Sequence, residues 1–342
     1  MTRTTATRRI AGALLTAALG LALTACSANP LTVLKAGITS PTIDEAAKAR
    51  QVSVADRPSA PVIKQDGVLT VGLPSTSSAP MLVTGTGGGL DGFDVDVAYA
   101  IAEQLGLSAS FVTVGDGAAS ANDCDVVMSA RADSAGDLTV VGSYAESATA
   151  FFHKGAETTV TSQDLAGKRV GVQGGSASQQ LLKRTDLSVS VQEFENLNAA
   201  FEALEAGQVD YVLCDALSGA YLQGGYSDLS FAGTLDVPSA VGVGVSSANA
   251  ELQTYVKGAV DKVTSGGVAE VLRSKWLGGM CSLTDTTKVS GVTIGSAPTT
   301  TGATTGAPAS TTATSVESVT GTGPSGTQDG SGAGANAASV TG

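Results

Sequence analysis

The stretch DLAGKRVGVQGGSASQQLLKR (164–184) holds a strand, a turn and a helix in immediate succession. RVGVQ is short and apolar and lies between Gly167 and Gly174-Gly175, the length and punctuation of a buried strand. SASQQLLKR (176–184) then reads as a helix, with Ser176 at its N-cap position. A glycine turn between them lets the backbone approach a ligand closely, and amides at a helix start point outward with a favourable dipole. GGSAS (174–178) is therefore either a ligand-binding turn built from Gly174, Gly175 and Ser176, or an ordinary capped strand–helix junction. Its SxS spacing lacks the trailing glycine of a hydrolase nucleophile elbow.

The same alternation extends in both directions. VLTVGL (68–73), SASFVTV (108–114), DVVMS (125–129), VDYVLCD (209–215) and AVGVGVS (240–246) read as strands. DVDVAYAIAEQLGL (94–107) reads as a helix that ends near Gly106, LNAAFEALEAGQ (197–208) as a second, and ELQTYVKGAVDKVTSGGVAEVLRSKWLG as a helical stretch broken at Gly266-Gly267. Strands alternating with helices imply α/β layers around mostly parallel sheets.

The 342 residues carry 19 Lys and Arg against 31 Asp and Glu, a net charge of −12, and only 4% are aromatic. Such a balance argues against a nucleic-acid partner, which draws on clustered cations. MTRTTATRR followed by an uncharged apolar run has the layout of a secretory signal, too short for a comfortable membrane span. Leu23-Thr24-Ala25-Cys26 closes it and resembles a bacterial lipobox. The signal peptide is thus assigned to residues 1–25, with Cys26 as the lipidated first residue of the exported chain, and residues 26–65 as a tether. After Trp276 no aromatic occurs, and residues 291–342 are almost wholly Gly, Ser, Thr, Ala, Val and Pro, with Glu317 and Asp329 as their only charges. That composition buries too little apolar surface to offset chain entropy, so 283–342 is expected to be a disordered tail.

The ordered pieces resemble, in order and spacing, the extracellular solute-binding proteins of family 3, the polar amino-acid receptors of ABC importers. The resemblance rests on DGVLTVGL, GFDVDVAYAIAEQLGL, CDVVMS, SYAES, DLAGKRVGVQGGSAS, EALEAGQVDYVLCD and the helical stretch that ends in SKWLGG. It implies an α/β, two-lobed periplasmic-binding-protein type 2 fold whose lobes are joined by two crossover strands. Lobe 1 would be 66–151 plus 244–282 and lobe 2 152–243, with crossovers near Phe151-Phe152-His153 and Gly242-Val243-Gly244. It also implies a non-enzymatic, monomeric receptor on the outer face of the cell membrane, closing on a small polar solute and handing it to ABC permease subunits.

The implied ligand set begins with Asp215, at the end of VDYVLC, where the family's Asp takes an α-ammonium; an Asp capping the following helix is the alternative. Ser176 with Gly174 and Gly175 would meet a carboxylate. The DVVMS strand should be followed by a Ser or Thr and then a carboxylate-gripping Arg, yet Ala132 and Asp137 stand at those places. Ser78 replaces a stacking aromatic, with Met81 close by. Ser129 and Arg131 remain candidates from the first lobe, although strand alternation also allows Arg131 to face solvent. The single histidine, His153, would support a Ser-His-Asp arrangement only if it lay in the cleft, and no His/Cys/Asp spacing suggests a metal or cofactor. The family fold places Cys124 and Cys281 in one lobe and implies a disulfide between them, with Cys214 a buried thiol. Asp94 and Asp96 read as helix-start carboxylates. The missing Arg and aromatic also suit a second role, a sensor or protein-interaction lipoprotein on the same fold.

Overall fold

The computed structural model describes residues 57–85, 88–115, 120–296 and 317–319. The signal segment, Cys26 and most of the proposed tether lie outside the described residues.

The first sheet has the strand order β4-β1-β5-β12-β6: β1 Val68–Pro74, β4 Ser108–Val114, β5 Val126–Ala130, β6 Leu138–Ser147 and β12 Ser239–Ser246. The second has the order β11-β7-β10-β8-β9: β7 Thr149–Lys154, β8 Arg169–Gln173, β9 Ser190–Phe194, β10 Tyr211–Asp215 and β11 Leu229–Thr234. A two-stranded ribbon, β2 Val83–Thr84 with β3 Leu90–Asp91, lies beside the first. Within each sheet three neighbouring strands run parallel (β4, β1, β5 and β9, β8, β10), and the next one turns antiparallel. Parallel strands need crossover helices, which accounts for the alternation in the sequence. The helices are α1 Phe93–Leu105, α2 Ser120–Asp123, α3 Ser162–Leu165, α4 Ala177–Leu182, α5 Leu197–Glu205, α6 Ala216–Gln223, α7 Ala250–Ser265 and α8 Val268–Leu277.

Helix α1 buries Phe93, Val97, Ala98 and Ile101 and stops at Gly106, whose φ of 68° is a left-handed cap. Asp96 on its outer side accepts from Lys275 Nζ and Trp276 Nε1, both at 2.7 Å, which ties α1 to α8. Asp94, the neighbouring helix-start acid, is instead wholly buried.

The chain passes between the sheets at Ala148, the single residue between β6 and β7, and again through 235–238 between β11 and β12. The passages lie side by side, because Ser147 and Ser239 are register partners. The expected crossovers fall inside the sheets instead. Phe151 and Phe152 pair with Leu213 and Val212 and are fully buried, so they are core of the second sheet. Gly242 and Gly244 pair within the first sheet at irregular registers. A Cβ on Gly242 would overlap the Gly142 backbone oxygen, so glycine here permits close strand approach.

Both ends of the body extend beyond the expected boundaries. In the stretch assigned to the tether, Ile63 is buried and the Lys64 amide donates to Asp125 Oδ1 at 2.9 Å. In the stretch assigned to the tail, Lys288, Ser290 and Ile294 bridge to Thr234, Thr161 and Thr185, and Val289 is buried with Leu165 and Leu235. Three apolar residues, Val289, Val292 and Ile294, pack this stretch on the second lobe despite its polar composition.

The disulfide expected between Cys124 and Cys281 is not formed. Cys124 is buried with Val114 and Val127 in the first sheet, whereas Cys281, after α8, meets Glu157 beyond β7 of the second. Burial pushes both thiols up to about 11, away from the reactive thiolate. Cys214 is a buried thiol, as expected.

Substituting Gly242→Ala should cost about 1–3 kcal/mol, because backbone cannot yield to the added methyl as a side chain would. Thermal unfolding followed by circular dichroism should show a fall in Tm of roughly 3–10 °C.

Candidate functional site

Strand ends from both sheets meet at the two passages and enclose a cleft of about 640 Å³. Its first-lobe wall includes Ser78, Met81, Ser129 and Arg131; its second-lobe wall includes Ser178, Asp215 and Ser218. Ser147, Ala148, Thr149, Asp236 and Ser239 form the floor at the passages.

Ser129, at the end of β5, has φ 55°, the left-handed region that a non-glycine residue enters only when its surroundings hold it there. Its amide donates to Tyr144 Oη at 2.9 Å and its hydroxyl to Asp94 Oδ2 at 2.7 Å. Tyr144 Oη in turn donates to Asp94 Oδ1 at 2.5 Å. Asp94 is the buried post of this arrangement. Burial raises its pKa to about 6, against the opposing effect of the two hydroxyl donors.

Holding Ser129 in this turn directs Arg131 into the cleft. Its Nη1 donates to Ser239 Oγ at 2.8 Å, and its Nη2 lies 3.9 Å from Asp215 Oδ2. Arg131 thus reaches into the cleft, with 36% of its side chain still exposed. Asp137, read as standing in place of a ligand-gripping Arg, is exposed in the turn before β6, and its carbonyl accepts from the Ser247 amide.

Asp215 both caps a helix and lines the cleft. Oδ1 accepts from the amides of Leu217 and Ser218 at 3.0 and 3.1 Å, capping α6. Oδ2 faces the cleft, where it accepts from Ser147 Oγ at 2.5 Å and meets Arg131. Asp236, which the sequence reading did not single out, accepts from the Thr149 amide at 2.7 Å; burial raises its pKa.

The GGSAS turn differs from expectation. The Gly174 amide donates to Phe194 O and the Gly175 amide to Gln179 Oε1, both at 2.9 Å, so neither glycine presents its amide to the cleft. Ser176 is buried as the N-cap of α4, accepting from the Gln179 amide at 3.1 Å. The neighbouring Ser178 lines the cleft instead.

Three residues of the distal chain pack against this region, and Glu317 among them lines the cleft. Glu317 Oε2 accepts from the Asp215 amide at 2.6 Å, and Glu317 O accepts from Ser78 Oγ at 3.1 Å. The Ser318 amide donates to Gln173 Oε1 at 2.7 Å, and Val319 joins the buried apolar cluster. Burial, the dominant effect, raises the Glu317 pKa to about 7; Asp215 nearby pushes the same way, while the Asp215 amide and the Ser178 and Ser176 hydroxyls oppose it. The sequence signal was present in Glu317 itself, the sole charge between Lys288 and Asp329.

His153 stacks on Tyr211 away from the cleft. Among the described residues no group of His, Cys, Asp or Glu is placed to hold a metal ion. A cleft at the junction of two α/β lobes, opposing Arg131 to Asp215, suits a small polar ligand.

Residues 69–279 match the bacterial extracellular solute-binding proteins, family 3. The chain belongs to this family. The L-cystine-binding protein TcyJ of Escherichia coli K12 is 30% identical over 231 residues, covering 63% of this chain and 85% of that protein. The L-cystine solute receptor of Neisseria gonorrhoeae, in its unliganded open conformation, superposes with a TM-score of 0.54 at 19% identity over 68% of this chain and all of that one. An ancestral cationic amino acid solute binding protein gives a TM-score of 0.52 at 22% identity, covering 69% of this chain and 100% of that one. These two structures bear on the fold, which is the type 2 periplasmic-binding-protein fold. The family's members are solute-binding proteins rather than enzymes. No helix among the described residues is long and apolar enough to cross a membrane.

Asp94 holds a proton to higher pH in the folded chain than unfolded, so its contribution to stability is complete below pH 3.8 and is lost as pH rises through about 6. The loss is on the order of 3 kcal/mol. Melting curves between pH 4 and 7 should show a smaller decline in Tm with rising pH for Asp94→Asn than for the wild type.

Proposed function

We propose that this chain is the extracytoplasmic receptor of an ABC importer, tethered by lipid at Cys26, and that it binds an amino acid between its lobes. The observation that carries this reading is the pair Arg131 and Asp215, opposite charges from opposite lobes, 3.9 Å apart at the mouth of a polar cleft. An amino acid separates such a pair by matching each member. Its carboxylate takes the guanidinium, whose planar fork suits two oxygens, and its ammonium takes Asp215 with help from Asp236. The cystine and cationic amino acids named for the relatives above are the first solutes to test.

The two passages at Ala148 and 235–238 supply the hinge. Solute contacts to both walls would favour the closed arrangement, which the permease would recognise. Cleft contacts already made between lobes, Ser147 to Asp215 and Ser218 to Ala79 O, are of the kind closure requires.

Glu317 in the cleft favours a second reading, in which the same fold senses or holds a protein segment in place of a solute.

Thermal-shift titration with L-cystine, L-arginine, L-glutamine and L-glutamate should raise Tm for at least one of them, since a ligand of the native state stabilises it. Arg131→Ala should weaken that ligand by roughly 5–100-fold, a range lowered for the partial exposure of the guanidinium. No shift with any of the four would count against amino-acid binding.

A further inference from the structure

Twenty residues separate Ser296, the last described residue of the body, from Glu317. Fully extended, that length spans about 70 Å, more than the roughly 45 Å across a body of this size. The chain is long enough for its own distal segment to reach the cleft.

We propose that the segment around Glu317 is a built-in occupant of the solute cleft: the protein binds its own C-terminal region as an extended Glu-Ser peptide, and an incoming solute must displace it. The displacement half of this rests on the amino-acid-receptor reading given above; the binding of the segment does not.

The contacts are those of a bound peptide. Glu317 O is held from the first lobe by Ser78, and Glu317 Oε2 from the second lobe by the Asp215 amide. Ser318 is held through its amide by Gln173 Oε1, through its hydroxyl by Gln173 Nε2 at 3.4 Å, and through its carbonyl by the Leu197 amide at 3.3 Å. Val319 is buried in the apolar cluster that runs through both lobes. The segment therefore bridges the two walls as a solute would, using main chain and side chains together. The sequence places its one acid there: no other charged residue occurs from 289 to 328.

The chemistry also makes the occupant displaceable. Glu317 brings an acid to a wall that already holds Asp215, and its Oε1 is buried without a hydrogen-bond partner. A solute ammonium would bring Asp215 a positive charge, which a protonated carboxyl group lacks. Asp215 and Cys214 on β10 are the titratable groups coupled to Glu317, while Arg131 after β5 and Asp236 at the second passage share the cleft. The docked carboxyl keeps its proton up to about pH 7 against 4.5 for an ordinary Glu, so docking is strongest at low pH and weakens as pH rises between those values.

Hydrogen exchange of the full mature chain, read by mass spectrometry, tests this without a solute. The Leu197 and Asp215 amides, both donated to the segment, should exchange at least tenfold faster in Glu317→Ala and in Ser318→Pro than in the wild type. Strand-core amides such as Val71 should be unchanged, which excludes misfolding as the cause. A synthetic peptide TSVESVT (314–320) should restore protection to Glu317→Ala, and its Glu→Ala counterpart should not. Glu317→Gln, neutral at every pH, should keep protection at pH 7.5 to the degree that the wild type shows at pH 5. Equal exchange at Leu197 and Asp215 in wild type, Glu317→Ala and Ser318→Pro would overturn the proposal. Titration with L-arginine, L-cystine and L-glutamate then reads the second half. The solute that binds should bind Glu317→Ala at least tenfold more tightly than wild type, and equal affinity would overturn displacement. Protection without any solute binding would leave the self-peptide site standing and remove the amino-acid reading.

Discussion

The Asp215 carboxylate divides its two oxygens between the fold and the cleft. One oxygen caps α6 through two amides, which fixes the side chain; the other receives the Ser147 hydroxyl from the opposite lobe and faces Arg131. A carboxylate fixed on one side and charged on the other is pre-organised for a cation, because little rotamer freedom remains to be lost on binding. Arg131 needs an equally firm base, and the strained turn at Ser129 provides one, held by Tyr144 and the buried Asp94. The site thus rests on two buried polar arrangements, one per lobe, that converge only where the chain passes between the sheets.

The fold was legible because its signals are local. Glycine turns, short Val-rich runs and helices with apolar faces occur at regular spacing, and each names its element without reference to the others. The crossings were not legible, since Phe151-Phe152 and Gly242-Val243-Gly244 read as strand whichever sheet they join. Only the ladder partners decide, and these are remote in sequence. The same limit explains the thiols. Cys281 follows α8 of the first lobe in sequence but turns to Glu157 beyond the second sheet.

The site was half legible. Asp215, Ser129, Arg131 and Ser78 do line the cleft, and Ser176 stands behind it as a cap. Gly174 and Gly175 do not supply their amides, because Phe194 and Gln179 take them first. Asp137 suggested a missing cation, and Arg131, six residues earlier, lines the cleft after a left-handed residue that no pattern announces. Composition misled most at the distal end. A segment too polar to build a core of its own can still dock where a cleft supplies its hydrogen-bond partners, and three residues, Glu317 to Val319, are enough. A receptor carrying such a segment would couple solute capture to release of its own chain.

The Glu317 carboxyl reports this most directly. Its titration can be followed by carbon-detected NMR of the mature protein labelled at glutamate. A docked Glu317 titrates near pH 7 and returns toward 4.5 when a bound amino acid expels it. A Glu317 that titrates near 4.5 in the solute-free protein would contradict the account.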